Sequence, residues 1–173
     1  MALTPMNICN KILRLNQHHK IGNFSKQLHR PFDVFINHRG IDTKRTVSGL
    51  LYNQLVHLGP NPFLDNKNLK PGDRLFDKID DAVRHYKVGV AVLSPHYCES
   101  YFCLHELALM METRKRVIPI FCDVKPSHHQ VKDSGSCAVN ELQRFRWALE
   151  RTKYTVGVTY DTLKGLVRPM PRK

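Results

Sequence analysis

Apolar residues fall along this chain in short continuous runs, and segments with helical spacing lie between them. The runs cover residues 32–36, 62–65, 88–93 and 117–121, and residues 155–160 form a weaker fifth run. The run at residues 88–93 is apolar throughout, which is typical of a parallel strand that is covered on both faces. Because parallel strands need a crossover connection, usually a helix, the alternation predicts an α/β domain with a parallel central sheet.

One helix lies between the two most apolar strands, within residues 94–116. Ser100 is a suitable N-cap, and the three cations of residues 114–116 stand where positive charge stabilises a helix C-terminus. Four positions repeat at the i, i+3, i+4, i+7 spacing and predict a core-facing stripe: Leu104, Leu107, Ala108 and Met111.

Glu106 lies on nearly the opposite side of that helix. Apolar neighbours flank it there, namely Phe102, Leu109 and Met110. Two interpretations remain open from the residues alone. Glu106 is either a solvated residue of an amphipathic helix, as most glutamates are, or a lone carboxylate in the wall of a pocket.

Several local signals refine the pattern. Asp42 or Thr43 is expected to cap a helix before residue 47, and Asp73 to cap another. The residues of this second helix expected to face inward are Leu75, Phe76, Ile79, Val83 and Tyr86. Pro119 cannot donate to a strand ladder, which places its strand near a sheet edge.

Three loops follow predicted strand ends. They are residues 37–40, residues 66–72 and the segment that leads into the helix of Glu106. In open parallel sheets ligands bind beyond the carboxyl ends of the strands, where the strand order reverses. We therefore expect these loops to meet in one cleft.

The charge is strongly positive, with 27 basic and 15 acidic residues and a formal net charge of +12. Residues 1–31 are basic and contain no acid, and they predict a mostly disordered leader before a domain of residues 32–160. Residues 161–173 form a basic tail with two prolines. The excess of cations favours anionic partners such as nucleotides or nucleic acid, without choosing among them.

Other classes of protein are disfavoured. The five cysteines show no spacing of a zinc site and no even disulfide framework, so reduced thiols in an intracellular protein are expected. No stretch approaches the length of a membrane span. We expect a cytoplasmic protein that can also be nuclear, and an organelle transit peptide in the basic leader is the alternative.

Four ordered motifs carry a resemblance to a known family. They are F-D-V-F-I-N-H-R-G-I-D-T-K at residues 32–44, residues 63–73 with L-K-P-G-D, S-P-x-Y-x-x-S-x-F-C-L-x-E-L at residues 94–107, and I-P-I-F-C-D-V-K-P-S at residues 118–127. Together they resemble a plant Toll/interleukin-1 receptor (TIR) domain, of the short kind without nucleotide-binding or leucine-rich-repeat regions. The fold so implied is a flavodoxin-like three-layer sandwich, with about five parallel strands and helices on both faces.

The resemblance implies an enzyme that cleaves NAD+ as its substrate, with no metal or cofactor, in plant immune signalling and cell death. Glu106 matches the catalytic glutamate of the family. The products are nicotinamide and either ADP-ribose or a cyclic isomer of it. The resemblance assigns contacts with the dinucleotide to the R-G-x-D-T turn, to the second loop and to one aromatic residue: Arg39, Gly40, Ile41, Asp42, Thr43, Lys44, Gly72 and Phe102.

The chain departs from the family pattern at several positions. Phe102 replaces the usual Trp, and Asn37-His38 replaces a common Ser-Phe pair. Gly49-Leu50 stands where many resistance receptors carry Ser-His for self-association, and the usual final helix is not evident.

These departures leave room for a non-catalytic adaptor that acts only by binding other TIR domains. A response-regulator receiver is discounted because the first strand does not end in acids. Nucleic acid stays open as a partner, although no aromatic series interleaves the basic residues.

Overall fold

The computed structural model describes residues 9–10, 32–133 and 135–169. Strands and helices alternate in this part of the chain, as the apolar pattern predicts. In chain order the elements are β1 (Val34–His38), α1 (Gly40–Thr43), α2 (Val47–Leu58), β2 (Pro62–Phe63), α3 (Asp65–Asn68), α4 (Leu75–His85), β3 (Val88–Leu93), α5 (Tyr101–Glu112), β4 (Arg116–Cys122), α6 (Val139–Lys153), β5 (Val158–Asp161) and β6 (Leu166–Pro169), with short 3-10 turns at Tyr97–Glu99 and Pro126–His128.

The sheet has the strand order β2-β1-β3-β4-β5-β6. The first five strands are parallel, which confirms the predicted flavodoxin-like α/β fold. β6 is an addition that the sequence did not predict, and it pairs antiparallel with β5 within the segment expected to be a tail. The strand order reverses between β1 and β3, and ligands of such sheets bind beyond the carboxyl ends of the strands at that point.

The two faces of the sheet are covered unequally. Helices α4, α5 and α6 cover one face, where Phe35, Leu93 and Phe121 of the strands are buried. On the other face α2 packs through Val47, Leu51 and Leu55 against strand residues such as Val90 and Ile120, and Cys9 is buried in the same cluster. The result is the predicted three-layer sandwich.

Pro119 does not mark a sheet edge, so that prediction is wrong. β4 lies between β3 and β5, but its ladder with β5 begins only at Ile120, one residue past the proline. Gly157 lies close to this position, and a Cβ atom added there would be 2.4 Å from the carbonyl oxygen of Pro119. The proline is accommodated because pairing with β5 starts after it.

The predicted caps before α2 and α4 are also wrong. Thr46 and Arg74 precede these two helices, and neither side chain caps its helix. Asp73 instead accepts a hydrogen bond from the Lys70 backbone N–H at 3.0 Å, which closes the turn before α4. Leu75 and Phe76, which were expected to be buried, are each at least 40% exposed because they lie on the outer face of the first turn of α4.

Residues 1–8 and 11–31 lie outside the described residues, so the prediction of a disordered leader is not tested. Across the part of the chain that the structure describes, no helix combines the length and apolar character needed to cross a membrane.

Candidate active site

Asn37 and His38 end β1 at the carboxyl edge of the sheet, and both are buried. Successive side chains of a strand point to opposite faces. Asn37 therefore lies on the α5 side, where its Nδ2 donates a hydrogen bond of 2.8 Å to Oε2 of Glu106. His38 lies on the α2 side and contacts Thr43. The end of one strand thus organises two separate polar groups.

Glu106 is buried and does not lie on a solvated helix face, because only 9% of the residue is exposed. Burial raises the pKa of its carboxyl group to about 8. The hydrogen bond from Asn37 lowers this pKa and the nearby charge of Asp65 raises it, but desolvation is the largest effect. An acid that is perturbed by burial and by a specific partner is a candidate functional residue.

Tyr97 completes the contacts around Asn37. Its hydroxyl lies within hydrogen-bond distance of the Asn37 Oδ1 and 3.0 Å from the carbonyl oxygen of Cys103. The Cys103 carbonyl also accepts from the Asn37 Nδ2, at 3.3 Å. Burial raises the pKa of the Tyr97 hydroxyl, so it stays protonated and can donate.

His38 joins the first turn to the start of the second loop. Its Nε2 lies 3.0 Å from the carboxylate of Asp65, the first residue of α3, and its Nδ1 lies 3.0 Å from the Thr43 hydroxyl. Ser48 of α2 donates to that same hydroxyl at 2.9 Å, and Thr43 itself donates to the Arg39 carbonyl. Thr43 is therefore buried inside the turn, where it supports the loop.

Asp42 and Arg39 lie where β1 and β3 end side by side. Ser94 follows β3 and donates a hydrogen bond of 2.6 Å to one oxygen of Asp42. The other Asp42 oxygen lies 3.3 Å from the Arg39 guanidinium, which also reaches Glu99 at 3.7 Å. These contacts tie the R-G-x-D-T turn to the neighbouring strand end, as the switch point of the sheet requires.

Phe102 belongs to an aromatic surface formed with Phe76, Tyr101 and His105. Its ring is 45% exposed and lies 5.5 Å from the ring of Phe76 on α4. Tyr101 and His105 stack beside it with ring centroids 5.9 Å apart. These rings form a continuous aromatic surface on α4 and α5.

The other residues that the resemblance assigned to the dinucleotide lie on the loops. Ile41 and Lys44 are exposed on the first turn, and Gly40 begins α1 beside the ring of His38. Gly72 is exposed in the second loop with φ of +93°, a conformation that favours glycine. In the described residues these four positions add no side-chain hydrogen bond or ion pair to the network around Glu106.

Sequence reasoning missed four members of this network. Asn37 and His38 were noted only as departures from a family pattern, and Asp65 and Tyr97 were placed only within motifs. The sequence held a signal for Asn37 and His38, because they follow the apolar part of the first strand. Polar side chains at that position lie at the edge of a parallel sheet where ligands bind. In the ranges 32–133 and 135–169, together with residues 9–10, no cluster of His, Cys, Asp and Glu has the makings of a metal site.

The chain is similar to several plant proteins. It is 51% identical over 138 residues to "Probable 2' cyclic ADP-D-ribose synthase BdTIR" of Brachypodium distachyon. That alignment covers 78% of this chain and 62% of the relative. It is 34% identical over 143 residues to "TMV resistance protein N" of Nicotiana glutinosa, covering 79% of this chain and 11% of that protein. The chain thus spans less than two thirds of either relative.

A solved structure of similar fold is that of the TIR domains in the activated Roq1 resistosome that recognises the pathogen effector XopQ. It aligns with a TM-score of 0.68 at 30% identity, and covers 74% of this chain and 87% of that one. The family profile described as "TIR domain" matches residues 31–158, most of the chain and all of the elements from β1 to α6. This protein therefore belongs to the TIR domain family.

Proposed function

We propose that this protein cleaves the bond between nicotinamide and ribose in NAD+, with Glu106 as the catalytic carboxylate. The observation that carries the proposal is a buried carboxylate at the carboxyl edge of a parallel sheet, bound through one oxygen by Asn37. The name of the Brachypodium relative, a cyclic ADP-ribose synthase, supports the same substrate.

The chemistry needs only one carboxylate. Most glycosidases use a second carboxyl group as an acid, because the leaving oxygen must be protonated. In NAD+ the leaving group is a cationic pyridinium, so the electron pair of the broken C–N bond neutralises it and nicotinamide leaves without a proton. Glu106 holds the ribose hydroxyls and stabilises the positive charge that develops on the anomeric carbon.

Loss of nicotinamide leaves a ribosyl cation-like species, and its anomeric carbon then reacts with one of two nucleophiles. Water adds to the anomeric carbon and loses a proton, which yields ADP-ribose. A hydroxyl of the same molecule can attack instead, with loss of its own proton, which yields a cyclic isomer. Exclusion of water by the loop around Gly72 favours the second route.

The two loops supply the contacts for the rest of the dinucleotide. Arg39 and Lys44 of the first turn offer positive charge to the pyrophosphate, and Lys67 and Lys70 are exposed on the second loop. Phe102 offers a ring face to a base or to nicotinamide. NAD+ acts as a substrate in this scheme, and no metal or bound cofactor takes part.

The decisive experiment measures NAD+ consumption by the purified protein beside Glu106→Ala, with products resolved by mass spectrometry. We expect wild-type protein to release nicotinamide and Glu106→Ala to show no turnover above background. Glu112→Gln is the matched control, because Glu112 belongs to the same helix and lies at the surface in an ion pair with Arg144. Turnover by a folded Glu106→Ala protein would refute the assignment, and the mass of the second product distinguishes hydrolysis from cyclisation.

A second candidate function is an adaptor that acts by self-association in plant immune signalling. The similarity to TIR domains that are part of a resistosome favours it. Assembly and catalysis are compatible, and active assemblies would promote defence and cell death from the cytoplasm. An assembly that forms with no loss of NAD+ would support the adaptor alone.

A further inference from the structure

We propose that Asn37 is a positioning residue of this site, which binds Glu106 in a fixed direction and favours its charged form, and that Tyr97 in turn fixes the Asn37 amide. The inference rests on the proposed function, because it concerns the residue that the reaction would use. It assigns to the end of β1 a role in tuning the carboxylate.

The surroundings of Asn37 allow one orientation of its amide. Both Nδ2 hydrogens face acceptors, namely the Glu106 carboxylate at 2.8 Å and the Cys103 carbonyl at 3.3 Å. The Oδ1 faces the hydroxyl of Tyr97, which can donate. A flipped amide would turn its oxygen toward two acceptors, so the observed orientation is the one with all partners satisfied.

This arrangement leaves the second oxygen of Glu106 for the substrate. Asn37 occupies Oε2 from the β1 side, and Asn37 itself is fully buried. A buried partner with a single orientation holds a carboxylate in place without the entropy cost of ordering it when the substrate binds. Asn37 therefore acts on the reaction through Glu106 and makes no contact with the substrate.

Few ionisable groups face Glu106 from the packed elements. Asp65 of α3 opposes its ionisation, and Asp65 is itself held by His38. Tyr97 of the 3-10 turn and Cys103 of α5 have raised pKa values and remain neutral. Asp80 of α4 lies toward His105, on a different side of α5. Asn37 is thus the neighbour that favours the charged form.

The consequence is a shift in pH dependence with a definite sign. The Asn37 hydrogen bond lowers the pKa of Glu106, which burial has raised to about 8. Removing the donor raises this pKa further, so the active carboxylate forms only at higher pH. Loss of a hydrogen bond to a charged group corresponds to a shift of about one to two pH units.

The test compares wild-type protein with Asn37→Ala, Asn37→Asp and Tyr97→Phe. Asn37→Asp keeps the shape and the contact with Tyr97 but replaces the donor by an acid. Tyr97→Phe removes only the hydroxyl that orients the amide. Thr152→Val is the control for loss of a buried hydrogen bond, since Thr152 bonds within α6 far along the chain. The readout is the pH profile of kcat/KM for NAD+ over about pH 6 to 10.

We expect the acid limb of the profile to move to higher pH by about one unit or more in Asn37→Ala, further in Asn37→Asp, and less in Tyr97→Phe. Activity lost at neutral pH should return in alkali. The Thr152→Val profile should keep the midpoint of the wild type. Equal loss at every pH in the Asn37 variants would overturn the inference, because it would mean a merely structural role.

A second readout does not depend on activity. Carbon NMR of protein labelled in glutamate carboxyl groups follows the ionisation of Glu106, and Glu106→Gln identifies its signal. An unchanged midpoint in Asn37→Ala refutes the positioning role even when the wild type turns NAD+ over. Absent turnover in the wild type, combined with a shifted midpoint, refutes the proposed function and leaves the role of Asn37 intact.

Discussion

Glu106 is an acid at a position where a neutral side chain would be more stable. It sits on a helix that buries Leu104, Leu107 and Ala108, and the burial that surrounds it penalises its charge. Under the proposed function this cost is of the kind that active sites carry, since stability and activity compete at functional sites. The cost of burying this charge can therefore be measured without any substrate.

Glu106→Gln should stabilise the protein at alkaline pH. The pKa of Glu106 rises from its ordinary value of 4.5 to about 8 on folding. The stability that comes with the neutral form is thus present below pH 4.5 and is lost as the pH rises through 8. Gln stays neutral throughout, so its advantage grows across that window to on the order of a few kcal/mol.

Thermal unfolding followed by circular dichroism from mildly acidic to alkaline pH would measure this difference. The two proteins should melt together near pH 4.5, and the variant should melt several degrees higher near pH 9. Glu112→Gln, which removes an exposed acid from the same helix, should not show the widening gap. A constant gap at all pH values would mean that Glu106 is not desolvated.

The sequence pointed to Glu106 as a candidate but not to its hydrogen-bond partner Asn37, and the reason is geometric. Helical periodicity shows which face a residue occupies, whereas the hydrogen bond from Asn37 joins residues 69 positions apart. Only the pairing of β1 with β3 and the packing of α5 bring the two together. The alternation of side chains along β1, which sends Asn37 and His38 to opposite faces, needs the strand direction and the sheet order as well.

Local sequence predicted where the helix α5 begins and part of its buried face. Ser100 was predicted as its N-cap, and the Ser100 hydroxyl accepts a hydrogen bond of 3.3 Å from the Cys103 backbone N–H. The cations of residues 114–116 lie beyond its last turn, which contains no basic residue, and Arg116 already begins β4. One core position differs, because Met110 is fully buried and Met111 only partly so.

Ser100→Ala should destabilise the protein by about 1 kcal/mol, because a first-turn N–H of α5 loses its acceptor. Ser100→Asp should retain most of the stability, since its carboxylate can accept the same bond and favours a helix N-terminus. Urea unfolding gives both values. Equal stability of wild type and Ser100→Ala would show that water replaces the hydroxyl without cost. If Ser100→Asp is as unstable as Ser100→Ala, the loss of stability does not come from the capping hydrogen bond.

Element boundaries that depend on neighbours could not be predicted. Pro119 suggested an edge strand, but the β5 ladder begins just past it, and no local signal gives that register. The caps of α2 and α4 failed for a similar reason, since Thr43 and Asp73 bond within their own turns. Local side-chain bonds compete with helix caps, and tertiary packing decides between them.

At the scale of the whole molecule, charge and exposed apolar surface act against each other. The formal net charge of +12 makes copies of this chain repel one another. Large apolar side chains are nevertheless exposed at several separate places, with Ile41, Tyr154 and Leu163 each more than 80% exposed. Association driven by such surface is held back by the charge until ions screen it.

Self-association of this protein should therefore increase with salt. The screening length falls from about 30 Å at 0.01 M salt to about 8 Å at 0.15 M, which removes most of the repulsion between exposed cations. Sedimentation velocity across that range would measure the mass, and NAD+ turnover per molecule would be followed in the same samples. Turnover that rises with assembled mass would join the two candidate functions in one mechanism. Dissociation as salt increases would instead show that pairs of opposite charge hold the copies together, and would contradict association through the apolar surface.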